Sequence, residues 1–154
     1  MQERKSEDCS MNKNTPRIAA FVGSFDPFTN GHADIVQRAL ALFDCVVIGI
    51  GVNPDKTYLF SEEERLSAVR SRYADNPRVS VKTYHGLTID FAKQEKACCL
   101  VKGVRTHKDF VYERQQADYN RQQGDIETVI LLARPNLKRV SSTRIRAKIQ
   151  KQHD

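Results

Sequence analysis

The sequence predicts a single α/β domain built around a parallel sheet of five strands. Five short apolar runs rich in β-branched residues alternate with longer amphipathic stretches, which is the pattern of β-α-β units. Several runs are almost continuously hydrophobic, as strands buried on both faces are. A length of 154 residues suits one domain rather than two. We expect the folded domain to span residues 17–154, after an N-terminal tail over residues 1–16.

The strand predictions rest on the apolar runs themselves. The five strands are predicted at residues 17–22, 45–51, 79–84, 98–104 and 128–133. The third run alternates apolar and polar residues more than the others do, which favours a place at an edge of the sheet.

The first two helices have clear start signals. Residues 31–43 carry apolar side chains near helical spacing, with Thr29 or Asn30 available as the N-cap. Residues 61–74 open with a serine and a glutamate in capping-box spacing. The apolar positions of these helices are Ile35, Ala39, Leu42 and Phe43 in the first and Leu66, Val69 and Tyr73 in the second. We expect the arginines of the second helix to face water.

Three further helices complete the alternation. They are predicted at residues 87–96, 108–123 and 142–150, and Gly124 is expected to end the fourth helix. Strands and helices in this order, with helices covering both faces of the sheet, predict a Rossmann-like domain.

Composition and charge restrict the partners. The formal charge of +6 favours an anionic partner. The excess charge is scattered rather than arranged as a basic stripe interleaved with aromatic residues, so small phosphorylated ligands are expected and nucleic acid is not.

Cysteine usage and the chain start predict a cytoplasmic location. Cys9, Cys45, Cys98 and Cys99 form no C-x-x-C pair, so reduced thiols are expected rather than a zinc site or disulfides. Residues 1–16 lack the apolar stretch of a secretory signal, and no run of transmembrane length follows. We expect no membrane association.

The segment GSFDPFTNGH, residues 23–32, follows the first strand, where an open α/β sheet places its ligand crevice. Glycines at both ends let backbone N–H groups and the helix dipole face an anion. His32 falls in the first helical turn, where an imidazole can donate a hydrogen bond to a phosphoryl oxygen in a transition state. The alternative is a plain turn followed by a surface histidine.

The complete segment resembles the G-x-F-D-P-x-x-x-G-H signature of the nucleotidylyltransferase superfamily. Within that superfamily, residues 17–146 resemble the bacterial phosphopantetheine adenylyltransferase family. The blocks that carry the resemblance are residues 53–65, 102–121 and 140–146. The resemblance implies transfer of the adenylyl group of ATP to 4′-phosphopantetheine, giving dephospho-coenzyme A. It also implies a homo-hexamer, which the composition does not indicate.

The resemblance implies a role for each matched residue in the acceptor half of the site. Lys56 and Lys102 would contact the acceptor phosphate, Lys102 as a point charge where the family has arginine. Ser24 would contact phosphate, and backbone at Leu87 and Thr88 would contact the pantetheine arm. Asn120, at the end of the long helix, would have a structural or a substrate-contact role.

The nucleotide half of the site is implied in the same way. Arg105 would bind ATP phosphates as a guanidinium fork, and Glu113 would bind the ribose. The other implied nucleotide contacts are Phe25, Gly103, Val104, Leu137, Lys138, Arg139, Val140, Ser141, Ser142 and Thr143. Leu137 stands where the family generally has an aromatic residue near adenine.

The residue types suit direct in-line attack of the acceptor phosphate on the α-phosphorus of ATP, with His32, Lys56 and Arg105 as the catalytic residues. Mg²⁺ is expected on the triphosphate, held by phosphates and water rather than by protein ligands. Two alternatives stay open. One is another adenylyl- or cytidylyltransferase of the superfamily, and the other is a non-catalytic nucleotide- or RNA-binding module.

Overall fold

A computed structural model of the protein describes residues 15–153. The predicted N-terminal tail lies outside the described residues except for Thr15 and Pro16, which are exposed. The strands are β1 (Ile18–Gly23), β2 (Cys45–Val52), β3 (Val79–His85), β4 (Cys99–Val104) and β5 (Glu127–Leu132). The helices are α1 (Asn30–Leu42), α2 (Glu62–Arg72), α3 (Thr88–Gln94), α4 (His107–Gly124) and α5 (Ser142–Lys151).

The five strands form one parallel sheet in the order β3-β2-β1-β4-β5. This confirms the predicted fold class, and β3 lies at an edge as its alternating sequence predicted. The chain builds outward from β1 to β3 and then crosses back to pair β4 with the other side of β1. The crevice outside the carboxyl ends of β1 and β4 is therefore the topological switch point, where open α/β sheets bind ligands.

Alternate residues of the central strands bury against opposite layers of helices. Ala19 and Phe21 of β1 belong to one apolar cluster, together with side chains of α1 and α2. Ala20 and Val22 face the other side and share a cluster with Phe91 of α3. This period of two is the geometry of a strand buried on both faces.

One sequence prediction about the second helix is wrong, and one apolar position of the first helix lies outside the core. Leu42 is 54% exposed, because it lies in the last turn of α1 and the following residue, Phe43, enters the core instead. The guanidinium of Arg65 does not face water: the residue is 2% exposed and donates hydrogen bonds to the carbonyls of Ser24 and Gly51. A long side chain can turn inward from a helix when backbone acceptors lie beneath it.

The end of α4 also differs in detail from its prediction. The left-handed residue that ends the helix is Asp125, at φ 49°, whereas Gly124 is still helical. A side chain at Gly124 would place its Cβ 2.3 Å from Cγ2 of Ile89. The glycine therefore serves close packing of α4 on α3 rather than the reversal of the chain.

The three described cysteines, Cys45, Cys98 and Cys99, are free thiols. Burial, followed by the effect of the neighbouring Cys98, raises the pKa of Cys99 to about 12, so this thiol stays protonated. Within residues 15–153, no helix combines the length and the apolar character that crossing a bilayer would require.

Candidate active site

A cleft of about 550 Å³ opens at the carboxyl ends of β1 and β4. Its walls come from the loop after β1, the starts of α1, α4 and α5, and the segment after β5. Most of the residues predicted for the site lie on these walls. They are Ser24, Phe25, His32, Lys102, Gly103, Arg105, Glu113, Leu137, Val140, Ser141, Ser142 and Thr143.

The other predicted residues lie outside the lining of this cleft. Lys56 stands at its rim, since its Nζ is 3.0 Å from Oγ of Ser24. The residues set apart from the cleft are Val104 and Lys138 in a neighbouring pocket, Arg139 in the segment before α5, Leu87 and Thr88 at the start of α3, and Asn120 buried in α4. Their predicted contacts with ligands stay predictions.

His32 is held by the first turn of its own helix. The backbone N–H of Thr29 donates to Nδ1 of His32 at 3.0 Å, and the hydroxyl of Thr29 accepts from the backbone N–H of His32 at 3.3 Å. This is a capping box in which histidine takes the place usually held by glutamate or glutamine. Because Nδ1 accepts a hydrogen bond, the proton of the neutral ring sits on Nε2.

The surroundings of His32 keep the imidazole neutral. Three phenylalanine rings, Phe21, Phe25 and Phe28, have their centroids within 6.1 Å of the centroid of the imidazole. Desolvation among them, followed by the positive charge of Arg105, lowers the pKa of His32 from 6.5 to about 4. At neutral pH the ring is therefore an uncharged donor with a fixed tautomer.

Arg105 is anchored at the start of α4. Its Nε lies 3.2 Å from Oδ2 of Asp109, and its backbone N–H donates to the same carboxylate. One Nη donates to the carbonyl of Val140 at 3.5 Å, so the guanidinium links α4 to the segment before α5. Its side chain remains about one-third exposed and can turn its free N–H groups to an anion in the cleft.

Lys102 and Glu113 form a pair on the floor of the cleft. Nζ of Lys102 lies 3.7 Å from Oε2 of Glu113 and donates to the carbonyl of Val22 at 3.5 Å. Oε2 of Glu113 is buried and lacks a hydrogen-bond partner in the described part of the chain. Glu113 lines the cleft, so its carboxylate, which can only accept hydrogen bonds when ionised, is placed beside any ligand hydroxyl there.

Intramolecular hydrogen bonds engage the side chains of Ser141, Ser142 and Thr143. Oγ of Ser141 caps α5 by accepting from the N–H of Arg144 at 3.2 Å, and Oγ of Ser142 donates to the carbonyl of Pro27 at 2.7 Å. Thr143 accepts from Arg146, which also donates to the carbonyl of Asp26 at 2.8 Å. These bonds fasten the start of α5 to the loop after β1, with the helix end at the cleft.

Sequence reasoning missed several residues that shape the site. Asp26 is 3% exposed, and its two carboxylate oxygens accept the backbone N–H groups of Leu59 and Phe60 at 2.8 and 2.9 Å. The spacing of Thr29 and His32 is that of a capping box and could have revealed that pair. No local signal marks Asp26 as a partner of residues 59–60, or Arg146 as a wall of the cleft.

Taken together, an open parallel sheet, a glycine-flanked segment at its switch point, an oriented histidine and converging cations define an α/β protein that binds nucleotide phosphates. The family model described as Cytidylyltransferase-like matches residues 20–148. A phosphopantetheine adenylyltransferase of Porphyromonas gingivalis is 50% identical over 129 residues, which are 84% of each chain. One of Bacteroides fragilis is 51% identical over 130 residues, 84% of this chain and 87% of the relative.

The chain belongs to the phosphopantetheine adenylyltransferases of the cytidylyltransferase-like family. This confirms the resemblance read from the sequence, and the protein is a nucleotidyltransferase. A bifunctional NMN adenylyltransferase/ADP-ribose pyrophosphatase of Francisella tularensis shares the fold, with a TM-score of 0.60 at 18% identity. That match covers 90% of this chain and 43% of the larger protein. A lipopolysaccharide core biosynthesis protein of Thermoplasma volcanium matches 78% of this chain and 98% of its own, with a TM-score of 0.55 and 18% identity.

Proposed function

We propose that this chain transfers the adenylyl group of ATP to 4′-phosphopantetheine, giving dephospho-coenzyme A and pyrophosphate. Identity of about half to several phosphopantetheine adenylyltransferases supports the choice of acceptor. The single observation that carries the chemistry is His32 in the wall of the cleft at the switch point, a neutral imidazole whose Nε2 has no hydrogen-bond partner among residues 15–153.

The reaction is one direct displacement. An oxygen of the acceptor's phosphate forms a bond to the α-phosphorus of ATP, while the bond from that phosphorus to the α,β-bridging oxygen breaks and pyrophosphate leaves. The acceptor phosphate is anionic at neutral pH, so the reaction needs no enzyme nucleophile and gains little from a general base. Catalysis then consists of positioning and of neutralising charge on the transferring phosphoryl group.

His32 donates a hydrogen bond from Nε2 to an oxygen of the α-phosphoryl group as charge develops there. A donor fixed before the reaction needs no reorganisation at the transition state. The backbone N–H of Thr29 provides that fixation, because it occupies Nδ1 and excludes the other neutral tautomer. A lowered pKa also means that the ring enters the reaction as a donor without a proton equilibrium near neutral pH.

Ser24, Lys56 and Lys102 bind the phosphate of the acceptor. The hydroxyl of Ser24 and the ammonium of Lys56 already lie 3.0 Å apart, as two donors to one phosphate would. Lys102 approaches from the floor of the cleft and would exchange its contact with Glu113 for the incoming anion. We assign the pantetheine arm to the backbone near Leu87 and Thr88 and a supporting role to Asn120.

Arg105 and the amino-terminal ends of α4 and α5 bind the triphosphate. Helix ends supply unpaired N–H groups and a positive dipole end to an anion, and Arg105 adds a guanidinium fork. Glu113 would accept from a ribose hydroxyl. Within residues 15–153, no group of three or more His, Cys, Asp or Glu side chains is arranged to hold a metal ion. We propose that Mg²⁺ enters with ATP as part of the substrate, held by phosphates and water.

Pyrophosphate release from ATP and Mg²⁺ tests the proposal. The assay compares 4′-phosphopantetheine, nicotinamide mononucleotide and no acceptor, with His32→Ala as the control. We expect release with phosphopantetheine alone and a loss of roughly two to three orders of magnitude in the control. Release only with the mononucleotide would overturn the acceptor, and an unchanged rate in His32→Ala would remove His32 from the mechanism.

We further propose that the chain works in the cytoplasm as a homo-hexamer that also binds coenzyme A, as the family resemblance implies. Exposed apolar side chains on α4, among them Phe110, Val111, Tyr112 and Tyr119, support an assembly that covers them. Light scattering should give six times the chain mass of 17.6 kDa. A monomer at micromolar concentration would contradict the assembly.

A further inference from the structure

Arg65 is buried beneath the acceptor side of the cleft, although it lies on α2 and outside the lining of the cleft. One Nη donates to the carbonyl of Ser24 at 2.8 Å and to the carbonyl of Gly51 at 3.2 Å. The first carbonyl lies just past the end of β1, and the second lies near the end of β2. A single guanidinium therefore ties together the ends of the two strands whose loops carry Ser24 and Lys56.

Arg65 also supports Lys56 through an aromatic ring. Its guanidinium carbon lies 3.9 Å from the centroid of Tyr58, and Nζ of Lys56 lies 5.6 Å from the same centroid. Tyr58 in turn accepts from the backbone N–H of Asn53 at 3.0 Å. The ring thus contacts both the buried cation and the exposed one, and its bond to Asn53 fixes the turn that carries Lys56.

The remaining attachment of this loop comes from Asp26. Its carboxylate accepts the N–H groups of Leu59 and Phe60, so it holds the carboxyl-terminal end of the loop over residues 53–60. Residues 53–60 therefore have one anchor on each side of their tip. Asp26 holds the end of the loop next to α2, and Arg65 with Tyr58 holds the part of the loop that carries Lys56.

The charge of Arg65 is not balanced by an ion pair. In the described part of the chain no carboxylate comes within 4.0 Å of its guanidinium, and its Nε lacks a hydrogen-bond partner. A buried cation without a carboxylate is costly to keep. Its positive potential, however, adds to that of Lys56 where an anionic phosphate would bind, and a phosphate would offset the cost.

We propose that Arg65 is a positioning residue for the acceptor phosphate, acting through the Ser24 carbonyl and through Tyr58 on Lys56. This inference rests on the proposed function for the identity of the acceptor. The contacts of Arg65 with the Ser24 carbonyl and with Tyr58 do not depend on it. Arg65 holds the two donors at 3.0 Å from one another, so that they meet one phosphate together.

The kinetic test compares Arg65→Lys and Arg65→Met with the wild type. Lysine keeps the charge but lacks the planar fork that reaches two carbonyls and stacks on a ring. We expect Arg65→Met to raise the KM for 4′-phosphopantetheine about tenfold or more and to lower kcat, since misplacement by about 1 Å can cost a hundredfold in rate. The KM for ATP should stay within about twofold, and Arg65→Lys should be intermediate.

Arg70→Met is the matched control. Arg70 lies on the same helix and also donates to a backbone carbonyl, that of Val81 on β3, but it contacts neither loop of the site. Its variant should keep both KM values and kcat. Equal rises of both KM values in Arg65→Met, or kinetics of both Arg65 variants within twofold of the wild type, would overturn the proposal. If Arg65→Met does not fold, Arg65→Lys is judged by the same criteria.

Hydrogen exchange separates this inference from the proposed function, because it needs no substrate. We expect faster exchange of the amides of residues 53–60 in Arg65→Lys, with unchanged exchange in α4 and no change in Arg70→Met. Unchanged exchange in residues 53–60 would overturn the positioning role. A wild type that fails to use phosphopantetheine would instead overturn the proposed function, while faster exchange in the loop would still stand.

Discussion

Helices α1 and α2 begin with the same device and use it differently. Both carry a capping box, formed by Thr29 and His32 in α1 and by Ser61 and Glu64 in α2. In α2 the third helical residue is an exposed glutamate that accepts the N–H of Ser61 at 2.8 Å. In α1 it is a histidine packed among phenylalanine rings, and the same bond selects which ring nitrogen carries the proton.

The capping residue of α2 stabilises its helix only, whereas that of α1 stabilises its helix and also lines the cleft. A glutamate at this position satisfies a backbone donor and complements the helix dipole. A histidine satisfies the same donor and, in addition, presents a neutral N–H to whatever lies before the helix. The cost of burying the imidazole shows in its lowered pKa. This distinction can be tested with variants in which the start of one helix is made to resemble the start of the other.

The largest effect is expected from His32→Gln. Glutamine completes a capping box as glutamate does, so the helix start should stay intact while a flexible amide N–H replaces the fixed N–H of the imidazole. We expect a melting temperature within a few degrees of the wild type and a fall in kcat of roughly two to three orders of magnitude. Calorimetry and pyrophosphate release measure the two quantities. Activity close to the wild type would mean that the cap, and not the imidazole, is what the site needs.

The second effect concerns pH and stability. The unfolded chain takes up a proton on His32 near pH 6.5, whereas the folded protein resists it down to about pH 4. Between these values the unfolded state binds more protons, so stability falls as the pH falls through the window. Denaturation at pH 7 and pH 5 should show the wild type losing about 2 kcal/mol more than His32→Gln.

Titration of the imidazole by NMR is the direct check on that window. A folded-state pKa near 6.5 for His32, or equal losses of stability in the two proteins, would contradict the desolvation that the three phenylalanine rings impose. Glu64 is not part of this test, because the residue is exposed.

A smaller effect is expected from Thr29→Val. The substitution removes the hydroxyl that accepts the N–H of His32 but keeps the backbone N–H that fixes Nδ1. We expect a loss of about 1 kcal/mol in the free energy of unfolding and a fall in kcat of less than about tenfold. A fall as large as that of His32→Gln would show that the hydroxyl, rather than the backbone N–H, orients the ring.

The smallest effect is expected from Glu64→Ala. It breaks the bond to the N–H of Ser61 on an exposed surface, so the loss should be about 0.5–1 kcal/mol of stability. Neither kcat nor either KM should change, because Glu64 has no contact with the cleft. A change in the KM for phosphopantetheine would show that the start of α2 reaches the site by more than the side chain of Arg65.

Much of this molecule could be predicted from its sequence because the signals are local. Apolar runs of strand length gave the five strands, and the alternating third run gave an edge position that the sheet order confirms. The segment at residues 23–32 predicted where the cleft lies. Its spacing placed His32 in the first turn, although the capping box with Thr29 became evident only in the structure.

The prediction that was wrong concerns a side chain whose partners are far along the chain. Arg65 was expected in water because periodicity counts polar residues as exposed, yet it meets a carbonyl 41 positions away. Leu42 fits the apolar spacing of α1, yet it is exposed because the helix ends there. Asp26 entered the sequence analysis only as one position of the segment at residues 23–32, while its carboxylate holds a loop more than 30 positions further on.

By itself, the sequence determined the fold class, the switch-point location of the cleft and the residue types that face a phosphate. Hydrophobic periodicity, turn residues and helix caps act over a few positions, so they can be read from the chain directly. Only the tertiary structure decided which nitrogen of His32 carries the proton, how far its pKa falls, and that Arg65 and Asp26 hold the loop of Lys56. Those properties depend on desolvation and on hydrogen bonds between distant segments, which exist only once the sheet has brought the ends of its strands together.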